Sequence, residues 1–313
     1  NNATGFSARP AGTYTGYYYY FGNRAGFWSA TQSNSNYAYN RFLYYNYADV
    51  NRSNYYKNYG YSVRCVRNEE GSGSEGGDDN PDDNDTTITA QACPGVPTVT
   101  DVDGNVYNTV QIGDQCWMRE NLKTTKYANG TTIPLGTTTS YDVAYRCYPN
   151  GNSANVSDYG YLYNWAAVMN GSASSDANPS GVQGICPTGW HVPSDDEWTE
   201  MTNYVSSQSQ YVCGDNTNNI AKALASEEGW NSSTNNCAVG NNPDAHNATG
   251  FSARPAGYYF GSYSSFGFNA NFWSATQYDS DDAYTRNLYY YNAYVDRGYN
   301  NKSLGYSVRC VRN

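Results

Sequence analysis

The sequence predicts an α+β fold in which a complete domain over residues 92–313 is preceded by a truncated copy of its own C-terminal half. Three observations predict it. Asn2 to Asn68 aligns with Asn247 to Asn313 without a gap, at a constant offset of 245. A run of alternating apolar and polar residues flanks Asp103-Gly104, which is a hairpin signal. Two segments, around Leu162 and after Ser194, carry apolar residues at helical spacing.

In chain order, residues 1–68 read as the second half of a domain whose first half is missing. The chain starts inside the repeat and without Met, which reads as a fragment or a processed product. Residues 69–91 are rich in Gly, Ser and Asp and nearly devoid of apolar side chains. Such a segment buries too little to order itself and serves as a linker, extended by its own charge. Its Asp-Asp-Asn-Pro-Asp-Asp-Asn-Asp run lacks the central Gly and terminal Glu of a calcium loop, so a solvated tether is expected.

Cys93 opens the complete domain. Pairing across Asp103-Gly104 brings Cys93 near Cys116, a candidate disulfide. Trp117 to Leu122 is expected to be strand-like. Tyr159 to Asn170 reads as one short helix with Leu162, Trp165 and Met169 on a single face. Ser194 with Glu197 three residues on is a capping box, followed by Trp198, Met201 and Val205 at helical spacing. His191 precedes this helix and reads as a structural, hydrogen-bonded histidine. Ile220 to Ser226 is a third short helix ending near Gly229-Trp230. Cys213 and Cys237 bracket it and are placed to close a local loop. From Asn247 the repeat takes over, in short strands.

Composition narrows the function classes. The net charge is −10 over 313 residues, and Tyr (35) and Trp (7) supply large buriable area. By segment, 1–68 has 7 basic and 1 acidic side chain, and 92–313 has 11 basic and 19 acidic ones. An acidic complete domain argues against a nucleic-acid partner. No run approaches a membrane span, and no signal peptide is visible. Eight cysteines without a Cys-x-x-Cys motif and only two histidines argue for disulfides in an exported protein over a metal site. No cofactor is expected.

The two copies differ by a rule. Including the pair Asn1/His246, 43 of 68 aligned positions are identical and 25 differ. The differing positions hold Asn, Tyr, Ser, Asp, Thr, Phe, Gly, His, Leu and Arg. All of these are reachable from an AAC codon through its two adenines. Drift would also exchange Ile with Val or Lys with Arg, and no such exchange is present. The pattern resembles the variable region of a diversity-generating retroelement, in which adenines are mutated as the region is copied from a template.

The candidate ligand-binding residues are 23 of the 25 differing positions of the second copy, all but His246 and Gly298. They are Tyr258, Phe260, Ser262, Ser264, Ser265, Phe268, Asn269, Asn271, Tyr278, Asp279, Asp281 and Asp282, then Thr285, Asn287, Tyr291, Asn292, Tyr294, Asp296, Tyr299, Asn300, Asn301, Ser303 and Leu304. Over Ala283 to Gly298 fixed and differing positions alternate, so fixed residues are expected to face inward and variable ones outward. A turn at Tyr291-Asn292 pairs Leu288 with Val295 and Arg286 with Arg297. Two adjacent arginines then need a carboxylate or carbonyl partner, unless they are exposed frame residues. Asp279, Asp281 and Asp282 align with Asn34, Asn36 and Tyr37, so a general calcium site is not expected. Tyr, Ser, Asn, Asp and Gly form the palette of antibody loops: stiff contact area, adaptable hydrogen bonding and room. A catalytic site tolerates little displacement, so a randomised face argues for a binder over an enzyme, and no catalytic residue is assigned.

Four blocks, VTDVDGNVYNTVQIGDQCWMRENL, YGYLYNWAAVMN, CPTGWHVPSDDEWTEM and FWSAT…GYSVRCVRN, occur in order over about 95–313. They resemble the Fibrobacter succinogenes major paralogous domain family. That family is similar to C-type lectin-like folds, which implies short helices on a twisted antiparallel sheet and variable residues on an exposed face. The resemblance implies a long-range disulfide from Cys186 to Cys310. Cys65, the equivalent of Cys310, is then left unpaired or with a non-native partner. Family members often carry a second cysteine where Val156 stands here, so Cys147 is either free or an alternative partner for Cys116. The function implied is an exported or cell-surface binder of a protein or glycan on a cell or phage. The alternative is a structural surface protein that self-associates into arrays through Tyr-rich faces. A formylglycine-generating type of enzyme, of related fold, would need a reactive cysteine site that the sequence does not offer.

Overall fold

A computed structural model describes residues 8, 10–47, 50–63, 90–137, 139–242 and 246–312. The chain divides into two compact units, Asn1–Asp83 and Asn84–Asn313. The expectations for Cys65 and for the acidic run of the linker lie outside the described residues.

The first unit holds an antiparallel sheet of β1 (Arg24–Gln32), β2 (Tyr37–Tyr44) and β3 (Val50–Tyr56), in that order. Its centre is the buried ring of Phe42, met edge-on by Tyr55 and Tyr61. Gly26 faces Phe42 across the ladder. A Cβ at Gly26 would lie 2.7 Å from that ring, so the large side chain is accommodated by the missing one opposite.

The strands that build the two larger sheets of the second unit are β4 (Thr98–Thr100), β5 (Val106–Ile112), β6 (Gln115–Met118), β7 (Asn269–Gln277), β8 (Asp282–Tyr289), β9 (Asp296–Asn301) and β10 (Val311–Arg312). Its helices are α1 (Val156–Tyr159), α2 (Trp165–Met169), α3 (Asp195–Ser207) and α4 (Ala221–Leu224). The strands form one antiparallel sheet in the order β10-β6-β5-β4 and a second in the order β7-β8-β9. In the β4–β5 turn Asp101 Oδ1 accepts from the backbone N–H groups of Asp103 and Asn105, at 3.0 and 2.9 Å, and Gly104 takes φ +84°. The strand expected over Trp117 to Leu122 is shifted, running from Gln115 to Met118.

Tyr159 to Asn170 is not one helix. Gly160, at φ +70°, packs so closely on the Asn121–Leu122 segment that a Cβ there would lie 2.5 Å from the Leu122 carbonyl oxygen. Leu162–Tyr163 then pairs with Arg146–Cys147 as a short ladder. Asn164 starts α2 by accepting from the Ala167 N–H at 3.2 Å, and Asn170 ends it in the left-handed region. The helical spacing of Leu162 was therefore misleading. The capping box of α3 forms in both directions, Glu197 N–H to Ser194 Oγ at 3.1 Å and Ser194 N–H to Glu197 Oε2 at 2.9 Å. Trp198, Met201 and Val205 are buried, with Trp198 packed on Trp117, Phe251 and Phe272. α4 is shorter than the Ile220 to Ser226 expected. Disulfides join Cys93 to Cys116, Cys186 to Cys310 and Cys213 to Cys237. Cys147 is a buried free thiol.

Candidate functional site

The site is built on β7-β8-β9. Across β8 and β9 the pairs are Thr285 with Gly298, Arg286 with Arg297 and Asn287 with Asp296. Across β7 and β8, Asn271 faces Asn287 and Phe272 faces Arg286. Alternation gives the sheet two faces. One face carries Ala270, Phe272 and Leu288 into the core beside Trp198. Arg286 and Arg297 share this face, and both reach one carboxylate. Arg286 Nη1 meets Asp195 Oδ1 at 2.5 Å, while Arg297 Nε and Nη2 donate to Asp195 Oδ2 at 2.9 and 2.7 Å. Those hydrogen bonds hold the Arg297 guanidinium above its ordinary pKa. Asp195 opens α3, where the helix N-terminus also favours its charge. The sequence left open a carboxylate or carbonyl partner or exposed arginines: Asp195, which it did not single out, is that partner, and Arg297 is exposed as well. In the first unit Arg41 pairs with Arg52 in the same register, and among the described residues neither meets a carboxylate.

The opposite face carries Asn271, Thr285, Asn287, Asp296, Gly298 and Asn300. Here the expectation of outward variable residues needs correction. Asn271, Thr285 and Asn287 are buried. Thr285 and Asn287 lie on the middle strand β8, and Asn271 lies on β7 against the Gly257 segment, so these positions form a polar floor rather than an exposed rim. Asn287 Nδ2 donates to Thr285 Oγ1 at 3.1 Å and to Asp296 Oδ2 at 3.3 Å, and Asn300 Nδ2 donates to Thr285 Oγ1 at 3.3 Å. Asn271 Nδ2 donates to the Gly257 carbonyl at 3.3 Å. Ser303 and Leu304 are buried as well, because the chain turns back into the core after β9.

The other candidates reach the surface in several places. Phe260, Ser262, Phe268, Tyr278, Asp279, Asp281, Tyr291, Tyr294 and Tyr299 are exposed. Tyr258, Ser264, Ser265, Asn269, Asp282, Asn292, Asp296, Asn300 and Asn301 are half-buried. They do not share one face of the sheet. β9 is an edge strand, and Tyr299 projects on the Arg297 side, stacked on Tyr278 with ring centroids 3.9 Å apart.

The turn between β7 and β8 shows how the frame carries variation. Asp279 Oδ1 accepts from the backbone N–H groups of Asp281 and Asp282, at 2.9 and 2.8 Å. In the first copy Asn34 Oδ1 does the same for Asn36 and Tyr37, at 2.9 and 3.0 Å. Asn and Asp serve this turn equally. The fixed Lys302 donates to the carbonyls of Asp279 and Ser280 at 2.7 and 2.9 Å, as Lys57 donates to that of Ser35 at 3.1 Å. Both lysines grip backbone, which every residue provides. Among the described residues no group of His, Cys, Asp and Glu is arranged to hold a metal ion.

His191 gains a partner that the sequence reading missed. Its Nε2 lies 2.6 Å from Glu197 Oε1, on the same carboxylate that closes the capping box. The six-residue spacing and the helix start between them hid the contact.

The sequence profile of the Fibrobacter succinogenes major domain matches residues 1–67 and 110–312. The chain belongs to the Fibrobacter succinogenes major domain family. The family match takes in both copies of the repeat and leaves out residues 68–109, which hold the linker and most of the first hairpin. No curated protein and no solved structure matches the chain. Both family segments contain a three-stranded sheet with the same irregularity, a register shift between Trp28 and Gln32 in one and between Trp273 and Gln277 in the other.

Proposed function

We propose that this is an exported binding protein on a C-type lectin-like scaffold, its binding face diversified by adenine-directed mutagenesis as the variable protein of a diversity-generating retroelement. The observation that carries the reading is the contrast between the two copies. Their strands keep one register and one turn clamp while 25 positions change within a single codon family. Export is supported by three disulfides, and no described helix is long and apolar enough to cross a membrane. The lectin-like architecture is supported by β10 pairing beside β6 and by the Cys186–Cys310 link to the end of the chain. Burial pushes the Cys147 thiol up to about 12, which leaves it protonated at neutral pH and speaks against the formylglycine-generating reading, the one that would need a reactive cysteine. The ligand is a protein or glycan on a cell or phage surface.

The test is the DNA flanking the gene. A reverse transcriptase gene and a template copy carrying AAC codons at the differing positions are expected. Silent changes spread evenly over the frame, with no template nearby, would sink the reading. A second reading, self-association into a surface array, draws on Tyr17, Tyr18 and Phe21 of the first unit, which are 76%, 83% and 82% exposed. Ordered polymers under the electron microscope would favour it, and a monodisperse monomer would count against it.

A further inference from the structure

A groove between α3 and the β8–β9 turn runs past the variable Tyr294, and we infer that it takes one ring of a neutral glycan, without calcium. This rests on the binding reading above and gives the ligand its class. The groove holds about 320 Å³, room for one sugar ring and some of its water. Thr202, Asn203 and Ser206 line it from α3, at positions that share a helix face. Asn216 and Asn218 line it from the loop before α4, and Ile220, Val295 and Tyr294 supply its apolar part.

No charged side chain lines this groove. Charge lies elsewhere along α3, where Asp114, Asp196 and Glu200 line a second groove. A charged head group would shed water in the first groove and meet no counter-ion there. A neutral ligand rich in hydrogen-bonding groups is therefore favoured. The side chains of Asn203, Ser206 and Asn218 and the Tyr294 hydroxyl make no hydrogen bond within the protein, among the described residues. Thr202 Oγ1 donates to the Trp198 or the Thr199 carbonyl, each at 3.1 Å, and keeps its lone pairs. Asn216 Oδ1 accepts from the Asn218 N–H at 3.0 Å, and its own amide protons stay available. Amides and hydroxyls both donate and accept, as the hydroxyls of a sugar do. No internal bond has to break before they engage one. Tyr294, 46% exposed, adds a flat ring for the C–H face of the sugar. An extended peptide needs a row of free backbone groups, and a groove walled by a helix, a loop and a turn offers no such row.

Both sides of the groove are fixed by the frame. The Cys213–Cys237 disulfide anchors the loop, the Cys213 N–H donates to the Asn219 carbonyl at 2.9 Å, and Asn219 Nδ2 donates to the Cys213 carbonyl at 3.1 Å. The variable turn is held through backbone, by the Ala221 N–H on the Ala293 carbonyl at 2.9 Å and the Val239 N–H on the Asn292 carbonyl at 3.0 Å. Walls set in advance lower the ordering cost of binding. Position 294 is variable, with Asp49 aligned to it in the first copy. Fixed walls thus hold the hydroxyls, and one variable residue sets which ring is accepted.

The experiment is a nitrogen-15 NMR titration of the full chain, read at the side-chain amides of Asn203, Asn216 and Asn218. The neutral probes are methyl β-glucoside, methyl α-mannoside and N-acetylglucosamine. Glucuronic acid and glucosamine are their charged counterparts, and N-acetyl-Gly-Asn-Gly-amide is the peptide probe. Saturable shifts are expected with at least one neutral sugar, unchanged by EDTA and about tenfold weaker with its charged counterpart. Tyr294→Phe should keep the binding, since the ring remains. Tyr294→Asp, the exchange that the repeat itself carries, should weaken it about tenfold. Absence of saturable shifts with every neutral sugar, charged sugars binding as tightly, or unchanged binding in Tyr294→Asp would overturn the inference. Loss of binding in EDTA would overturn the calcium-free site, and tighter binding of the peptide would overturn the glycan class. None of these failures bears on the retroelement reading, which the flanking DNA decides.

Discussion

Asn287 and Phe42 occupy one place in two copies of one frame, and the residue across the ladder changes with each. Phe42 faces Gly26, and Asn287 faces Asn271. The reason is volume, since the space beside Phe42 leaves no room for a Cβ at Gly26. Asn287→Phe alone should therefore overpack the second unit and cost about 1–3 kcal/mol. Adding Asn271→Gly should return much of that loss, with a coupling of about 1 kcal/mol or more. Urea unfolding of the two single variants and the double variant measures it, and strict additivity would show that the volumes are not shared. The sequence revealed which residues vary but not that these two meet. The alternation of fixed and variable positions marks faces. It cannot tell a middle strand, whose two faces are both covered, from the edge strand β9.

At the scale of elements, the variable turns are held by atoms that do not vary. Lys302 is buried and grips two carbonyls of the β7–β8 turn, with its ammonium 4.7 Å from the Trp165 ring. Lys302→Met should lower stability by about 1–3 kcal/mol and make the 279–282 turn more sensitive to protease. Stability and cleavage equal to the parent's would show that the clamp is dispensable. The α3 capping box was legible because Ser194 and Glu197 act within four residues. The helix expected over Tyr159 to Asn170 was misread because Gly160 and Asn164 break it for reasons seated elsewhere. One is the close Leu122 carbonyl and the other a cap that competes with helix continuation. Asp195 was invisible as a partner because its arginines lie 91 and 102 residues away.

At the scale of the molecule, cysteine spacing and the hairpin made much of the second unit legible, whereas the Cys186–Cys310 link, spanning 124 residues, came from family resemblance rather than local pattern. Stability against pH is a property of the whole chain, and His246 contributes to it. Burial lowers its pKa, and a hydrogen bond with the Ser226 carbonyl at 2.8 Å opposes that in part. The folded state thus binds this proton more weakly than the unfolded one. Its contribution is intact above the unfolded pKa of about 6.5 and is lost as pH falls below that value. His246→Asn, with the residue of the first copy, should flatten the fall in urea midpoint between pH 7.5 and 5 relative to the parent. An unchanged slope would assign the acid sensitivity to other groups.

The ladder neighbours 26/42 and 271/287 carry a consequence for evolution. Where variation is written one position at a time, the number of available proteins is nominally the product of the choices at each site. Two sites that share a volume break that product. A bulky residue at one is viable when its neighbour is small, so folding censors combinations before any ligand selects among them. On the proposed reading, the repertoire of such a scaffold would be smaller and more correlated than its genetics allow, and part of the difference between the two copies would be a record of packing.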